Sequence, residues 1–436
     1  NAVVTGVHVD VAARWCHPQQ AMAGTAPHHA VGIGGQGMHG LYRHPVAMVQ
    51  VQAAQQPPHL KAIVPYEALT DRYRQSVYHG GLLNEGFWHQ WWGHVSVDGM
   101  TPLSHGYLGQ ETNGAGGLFK GLRTIPVMLD IAARVERLAP DAWIINFTNP
   151  AGIVTEAVTR YSKAKIIGLC NVPISMHHMI ANLLHAPYED IQLRFAGLNH
   201  MVWVHEVLQR GKDVTAEVLN MLCDGASLTM NNIKEAPWPP EFLRAMGAIP
   251  CPYHRYFYQT QDMLAEEIAA AAERGTRAEQ VMQVEKELFE LYADPHLDSK
   301  PEQLSFRGGS FYSEVALELI RAIHNNLGTQ LVVNTTNRGA IRGLSDGSVV
   351  ETNCIVDAQG AHPLTFGPLP VAMHGLTQQV KAYERLTIEA AVHGDRRSAL
   401  LALVTNPLIA NASIAQPLLE EVLQVNKPYL PQFTDL

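Results

Sequence analysis

Cysteine is scarce in this chain and poorly placed for pairing. The 436 residues hold five (Cys16, Cys170, Cys223, Cys251 and Cys354), widely spaced and with no Cys-x-x-Cys motif. An odd, scattered set excludes a disulfide framework and reads as reduced thiols in a reducing compartment. Long apolar runs are missing too. None approaches the roughly 18 to 20 residues that span a bilayer, and no basic-then-apolar leader opens the sequence. A soluble, cytoplasmic protein without a membrane partner is expected. There is no run of Lys or Arg, and the formal charge is -9. Nucleic acid is not an expected partner, because a phosphate backbone demands a basic face; a small anionic substrate needs only a local basic pocket. What is abundant is apolar residue, at 47% of the chain. Such a chain can bury a large core, and its length ordinarily divides into two or more units.

The character of the sequence changes near residue 98. From Thr101 onward, strand-like apolar runs (Trp143 to Phe147, Lys165 to Leu169, Leu331 to Val333) alternate with helical patterns (Ile125 to Leu138, Ser313 to Ile323). That alternation predicts βα units and a parallel sheet. Asn149-Pro150 is expected to end one strand and start a helix. The stretch Asp262 to Leu291 is rich in Ala, Glu, Leu and Met and predicts a long helix; Tyr383 to His393 and Leu400 to Leu403 read as helical as well. An α/β fold with a helical substrate-binding half follows. Residues 1 to about 45 are rich in His, Gly, Ala and Val and keep neither period. Their glycine cluster, Gly32-Ile33-Gly34-Gly35-Gln36-Gly37, is either a phosphate loop or a plain flexible segment.

Three segments carry the chemistry: Ile145-Asn146-Phe147-Thr148-Asn149-Pro150-Ala151-Gly152, Gly168-Leu169-Cys170-Asn171-Val172-Pro173 and Gly197-Leu198-Asn199-His200. Cys170 and His200 stand 30 residues apart. A thiolate and a neutral imidazole suit a divalent transition ion and leave positions open for substrate and water. Taken alone, such a pair also fits a buried structural cysteine and a core histidine; His177, His178 and His205 read as surface or core residues. In Ile249-Pro250-Cys251-Pro252-Tyr253 the prolines hold Tyr253 rigidly. A phenol with pKa near 10 becomes a base at neutral pH only beside a metal or cation, and aromatic packing fits Tyr256 and Tyr258 better than Tyr253. Asn149 falls at a strand end, where α/β folds place ligands. Arg277 offers the bidentate guanidinium that a phosphate takes, or else a solvated helix face.

In order and flanks these segments resemble family 4 glycoside hydrolases, the NAD-dependent exception among glycosidases, over roughly Pro102 to Leu436. The resemblance implies a Rossmann-like parallel sheet, atypical in its N-terminal part, with a C-terminal α+β, helix-rich substrate and oligomerisation domain. It implies Mn2+, or another divalent metal, on Cys170 and His200, Tyr253 as the base that removes the C2 proton, Asn149 on the sugar and Arg277 on a 6-phosphate. Glu111, in Gly109-Gln110-Glu111-Thr112-Asn113-Gly114, and Arg307-Gly308-Gly309-Ser310-Phe311-Tyr312-Ser313 are pocket-forming by the same likeness. Asn171 within Cys-Asn-x-Pro is similar to the 6-phospho-β-glucosidase branch. The implied reaction oxidises C3 with NAD+, eliminates the aglycone from C1, adds water and returns the hydride. A homo-oligomer, dimer or tetramer, is implied as well.

Residues 50 to 93 resemble a different family, the α/β-hydrolases of the cocaine esterase and X-Pro dipeptidyl peptidase type. That family's nucleophilic serine would lie upstream of Gln56-Pro57-Pro58, yet the first serine of the chain is Ser76. The expected domains are an atypical N-terminal segment, 1–98, and a family 4 catalytic and C-terminal region, 99–436. The competing expectations are a catalytically inactive fusion or remnant lacking a competent NAD site, and a serine hydrolase.

Overall fold

The computed structural model describes residues 4–5, 62–64, 101–110, 112–230, 233, 237–275, 277–294, 296–306 and 311–434. The glycine cluster at 32–37, most of the esterase-like segment, Glu111 and 307–310 lie outside the described residues.

Short apolar strands build a parallel layer. Val4–Thr5 (β1) pairs with Ala62–Val64 (β2), β2 with Trp143–Asn146 (β3), and β3 with Lys165–Gly168 (β4), all parallel. Strands covered on both faces read as continuous apolar runs rather than alternating ones. Ile144 accordingly packs with Leu118, Ile125 and Met128 of the helix Ala115–Leu138. Its neighbour Ile145 faces the opposite way, toward Val333 and toward Leu319 of the helix Tyr312–Asn325. Helices on both faces give the Rossmann-like α/β layering.

An antiparallel layer continues the same sheet. Ile191–Leu198 (β5) and Met201–Gln209 (β6) form a hairpin, and β6 also pairs with Lys212–Asp213 (β7) and Ile249–Pro250 (β8). Thr329–Thr336 (β9) runs against Val349–Asp357 (β11), which also pairs with Gly360–Pro363 (β12). Ile341–Arg342 (β10) and Gly367–Pro368 (β13) make a separate small sheet. The main order is β1-β2-β3-β4-β9-β11-β5-β6-β7. The seams between the layers are narrow: β4 meets β9 at Gly168↔Asn334, and β11 meets β5 at Glu351↔Gly197 and Thr352↔Ala196. One transverse row therefore crosses the sheet through Asn146, Gly168, Asn334, Glu351, Gly197 and Val202.

Both glycines in that row are needed for close approach. A Cβ on Gly168 would lie 2.4 Å from Thr155 Oγ1 and 2.8 Å from the Asn334 Cβ, and one on Gly197 would lie 2.2 Å from the Met201 carbonyl oxygen. Outside the sheet, the helix Val371–His393 packs along Ala115–Leu138 and holds a buried ion cluster. Its Lys381 donates to Glu156 at 2.9 Å and to the Val349 carbonyl at 2.8 Å, and pairs with Glu384. Glu156 belongs to the helix Ala151–Tyr161 that follows β3, so the cluster ties that helix to the start of β11.

The expected elements are present with shifted ends. The helix predicted from Ile125 begins at Ala115, running through Gly116, Gly117 and Pro126 because tertiary packing overrides weak local propensity. The helix predicted over Asp262 to Leu291 is two, Thr260–Arg274 and Arg277–Tyr292, broken at Gly275, whose φ of +80° no right-handed helix accepts.

Candidate active site

β3 and β4 are parallel and in register, so the segments that follow them emerge side by side. After β3 the chain turns at Asn149-Pro150 into the helix Ala151–Tyr161, the strand-to-helix switch read from the sequence. Asn149 is half-buried, and its Oδ1 accepts from the Ala151 N–H at 3.3 Å. After β4, Cys170 caps the helix Asn171–Leu183, its sulfur accepting from the Val172 N–H at 3.5 Å. Cys170 and Asn171 are each 4% exposed. A helix N-terminus favours a thiolate, yet burial pushes the Cys170 thiol well above its ordinary value and nearby Glu351 adds to the rise. The Val172 N–H and the Asn199 side-chain amide oppose it. A cation at the sulfur would reverse the balance.

The hairpin between β5 and β6 delivers the imidazole. Asn199-His200 is its two-residue turn, with His200 in the left-handed region at φ 58°, a conformation that non-glycine residues hold only where surrounding contacts enforce it. Those contacts are present. Asn113 Nδ2 donates to the His200 carbonyl at 3.1 Å, and the Cys251 thiol donates to the same oxygen at 3.5 Å. Gly152 admits the turn against the first residues of its helix, since a Cβ there would lie 3.0 Å from the Asn199 Cβ. The Tyr253 ring lies flat on the His200 ring, with centroids 3.9 Å apart and planes 6° from parallel. Tyr253 itself sits on a short 3-10 turn, Pro252–His254, entered from β8.

Burial lowers the His200 pKa to about 3, so the ring is neutral at ordinary pH, and its Nδ1 has no hydrogen-bond partner among the described residues. A buried, neutral imidazole whose turn neighbour Asn199 hydrogen-bonds the buried Cys170 thiol fits a divalent transition ion. Among the described residues no group of three or more His, Cys, Asp and Glu side chains gathers to hold one. An ion on Cys170 and His200 would therefore complete its coordination with substrate and water.

The other expected residues divide. The Gly109–Gly114 segment reaches the site, because Gln110 Oε1 accepts from the N–H groups of Thr112 and Asn113 and so aims Asn113 at the turn. Glu111 itself is outside the described residues. Arg277 begins the helix Arg277–Tyr292, but its side chain is outside them too. From the Arg307–Ser313 segment, Phe311 stacks on His178 at 4.3 Å and Tyr312 meets Phe147 edge-on at 4.8 Å. His177 stacks on Tyr188, and His205 lies against Phe366.

Asn113, Asn199 and Cys251 fall within segments singled out from the sequence, whereas Asn334 and Glu351 fall in none. Glu351 Oε1 accepts from Asn199 Nδ2 at 3.1 Å and Asn334 Nδ2 at 2.7 Å. Burial raises its pKa to about 7, against the two amides that lower it and with Glu384 raising it further. Glu351 is the one acid between Val349 and Val356, but nothing local in the sequence shows which residues it faces.

Comparison with known proteins identifies the family. Residues 93–186 match the Family 4 glycosyl hydrolase domain and 195–409 the Family 4 glycosyl hydrolase C-terminal domain. A short stretch, 44–108, matches the X-Pro dipeptidyl-peptidase (S15 family) domain. The chain is 50% identical over 338 residues to a probable 6-phospho-beta-glucosidase of Bacillus subtilis, covering 77% of this chain and 76% of that protein. It is 42% identical over 344 residues to the 6-phospho-beta-glucosidase of Escherichia coli, covering 78% and 76%. The 6-phospho-beta glucosidase of Thermotoga maritima, solved with NAD and glucose-6-phosphate, superposes with a TM-score of 0.72 at 31% identity, over 88% of this chain and 96% of that one. On sequence and fold together, the chain belongs to family 4 of the glycosyl hydrolases.

Proposed function

We propose that this protein hydrolyses 6-phospho-β-glucosides to glucose 6-phosphate and an aglycone, using NAD+ and a divalent metal such as Mn2+. The observation that carries the reading is that the Asn199 amide, which hydrogen-bonds the Cys170 sulfur, shares a two-residue turn with His200, on whose ring the Tyr253 phenol stacks. Relatives support the substrate and cofactors, since the Thermotoga maritima enzyme was solved with manganese, NAD+ and glucose-6-phosphate.

When bound, the two cofactors supply hydride acceptance at C3 and charge stabilisation while the C2 proton leaves. Cys170 and His200 are the residues that would hold the metal. Tyr253 takes the C2 proton at its phenolic oxygen, in a position fixed by the His200 stack and by the 3-10 turn. Asn149 hydrogen-bonds the sugar from the end of β3, and Asn171 and Glu111 line the sugar pocket. Arg277 meets the 6-phosphate through paired N–H groups. Burial of Cys170, Asn171 and His200 keeps bulk solvent from the residues that would hold the metal.

On this reading residues 99–436 are the catalytic and C-terminal region, and Val4–Thr5 and Ala62–Val64 of the atypical N-terminal segment extend its parallel layer. The parallel pairing of Ala62–Val64 on Trp143 and Ile144 supports that reading over a remnant without a cofactor half. No described helix is long and apolar enough to cross a membrane. The protein acts in the cytoplasm as a homo-oligomer on this reading. The test is p-nitrophenol release from p-nitrophenyl 6-phospho-β-glucoside with and without NAD+ and Mn2+. Turnover that needs both supports the proposal, and turnover indifferent to both overturns it.

A further inference from the structure

Asn199, Asn334 and Glu351 form a buried hydrogen-bonded polar group next to Cys170 and the His200 turn. In the transverse row, Asn146, Asn334 and Glu351 carry side chains and Gly168 and Gly197 do not. All three polar members are buried, at 0%, 0% and 1% exposure. Asn146 Nδ2 is satisfied locally, by Thr155 Oγ1 at 3.2 Å and the Ala151 carbonyl at 3.3 Å. Asn334 and Glu351 sit directly opposite each other on β9 and β11, and Asn334 donates to Glu351 Oε1 at 2.7 Å. The same oxygen accepts from Asn199 Nδ2 at 3.1 Å, and the Asn199 amide also hydrogen-bonds the Cys170 sulfur. One carboxylate oxygen thus fixes the side chain that bridges the thiol to the histidine's own turn.

We propose that Glu351 is a positioning residue for the metal pair: through the amide of Asn199 it sets the orientation of the Cys170 sulfur relative to His200. The proposal rests on Cys170 and His200 being the metal ligands. Glu351 acts through its hydrogen bonds to Asn199 and Asn334, not as a ligand of the metal. Its part is to be the acceptor that two buried amides share at the seams of the sheet, Gly168↔Asn334 and Glu351↔Gly197. Remove that acceptor and Asn199 loses the partner that holds its amide, so the sulfur and the His200 turn lose their common reference. Outer partners of this kind typically change metal affinity by about 10 to 100 times when removed.

The test is metal binding by the full-length protein, with no substrate present. Mn2+ affinity is measured by titration, and Co2+ is used for its thiolate-to-metal absorption band. In the unsubstituted protein that band must appear and must vanish in Cys170→Ala; otherwise the ligand assignment itself fails, separately from Glu351. Glu351→Ala is expected to weaken Mn2+ binding by about 10 to 100 times and to shift or weaken the Co2+ band. Glu351→Gln keeps an oxygen acceptor in place and is expected to bind within about threefold of the unsubstituted protein, a fraction of the loss that removing an outer partner causes. Asn199→Ala is expected to match Glu351→Ala, and the double variant to be no worse than either single one. Should Glu351→Ala fail to fold, Asn199→Ala and Glu351→Gln carry the comparison. Unchanged affinity and band in Glu351→Ala or Asn199→Ala, equal loss in Glu351→Gln, or additive losses in the double variant would each overturn the proposal.

Discussion

Replacing Lys381 by Met tests the buried ion cluster that fastens the helix after Asn149-Pro150 to the strand carrying Glu351. Lys381 is 5% exposed, and its partners Glu156 and Glu384 are 0% and 4% exposed. Burial alone would raise the Glu156 pKa, but Lys381, the Val349 N–H and Arg160 outweigh it and hold the carboxyl below its usual range. Glu384 has Lys381 alone to offset its burial, with Glu156 opposing, and stays raised. Losing one partner of a buried pair costs about 3–5 kcal/mol. Glu156 keeps the Val349 N–H and Arg160, so the lower end, about 3 kcal/mol, is expected near neutral pH. The sign with pH follows from linkage. A carboxylate with a lowered folded pKa contributes stability above its unfolded value and loses it as pH falls through the folded one. Without Lys381 the Glu156 pKa rises, so the variant's deficit shrinks on acidification, by up to about 1.4 kcal/mol per pH unit near and below pH 5. Equilibrium urea unfolding at pH 7.5 and pH 4.5 measures both numbers, with Lys381→Met/Glu156→Gln expected to recover part of the loss. A deficit under about 1 kcal/mol at pH 7.5, where a broken buried pair should cost several times that, would refute the reasoning. So would one that grows toward pH 4.5.

Other outcomes follow from the same geometry. Gly168→Ala puts a methyl 2.4 Å from Thr155 Oγ1; it should destabilise by about 1–3 kcal/mol in urea unfolding and weaken Mn2+ binding by displacing Asn334. Burial holds His200, His205 and His254 neutral, with pKa values of about 3, 4 and 3. The unfolded chain protonates near pH 6.5, so stability should fall as pH drops below that, by about 2 kcal/mol per histidine at pH 5; His205→Phe should flatten the profile measurably. Tyr253→Phe keeps the ring on His200 and should keep metal affinity while losing about 10² to 10⁴ in kcat, the range for a general base, as read by steady-state kinetics.

Much of the site was legible because its residues fall at element boundaries that short motifs mark. Asn149-Pro150 is a strand-to-helix switch, Cys170 is a helix cap, and Asn199-His200 is a hairpin turn. Only the Asn149-Pro150 boundary has a cause read locally from the sequence; Cys170 and His200 are singled out by the family resemblance, since taken alone the pair also fits a structural role. The polar support was not legible, because Asn334 and Glu351 meet only through the register of β9 on β11, which no local pattern encodes. Asn113 reaches the turn from 87 residues away, and Tyr383 donates to the Gly114 carbonyl from 269 away. The continuous helix expected over Asp262 to Leu291 failed at one residue, where Gly275 takes a positive φ inside strong helix formers.

The most direct test of the account is hydrolysis of a 6-phospho-β-glucoside in D2O with NAD+ and Mn2+, followed by mass and proton spectra of the glucose 6-phosphate formed. Proton removal from C2 by Tyr253, followed by return of a solvent proton, predicts product carrying deuterium at C2, and loss of both turnover and label in Tyr253→Phe. Product formed at full rate with its original hydrogen at C2 would contradict the account and point to direct displacement at C1.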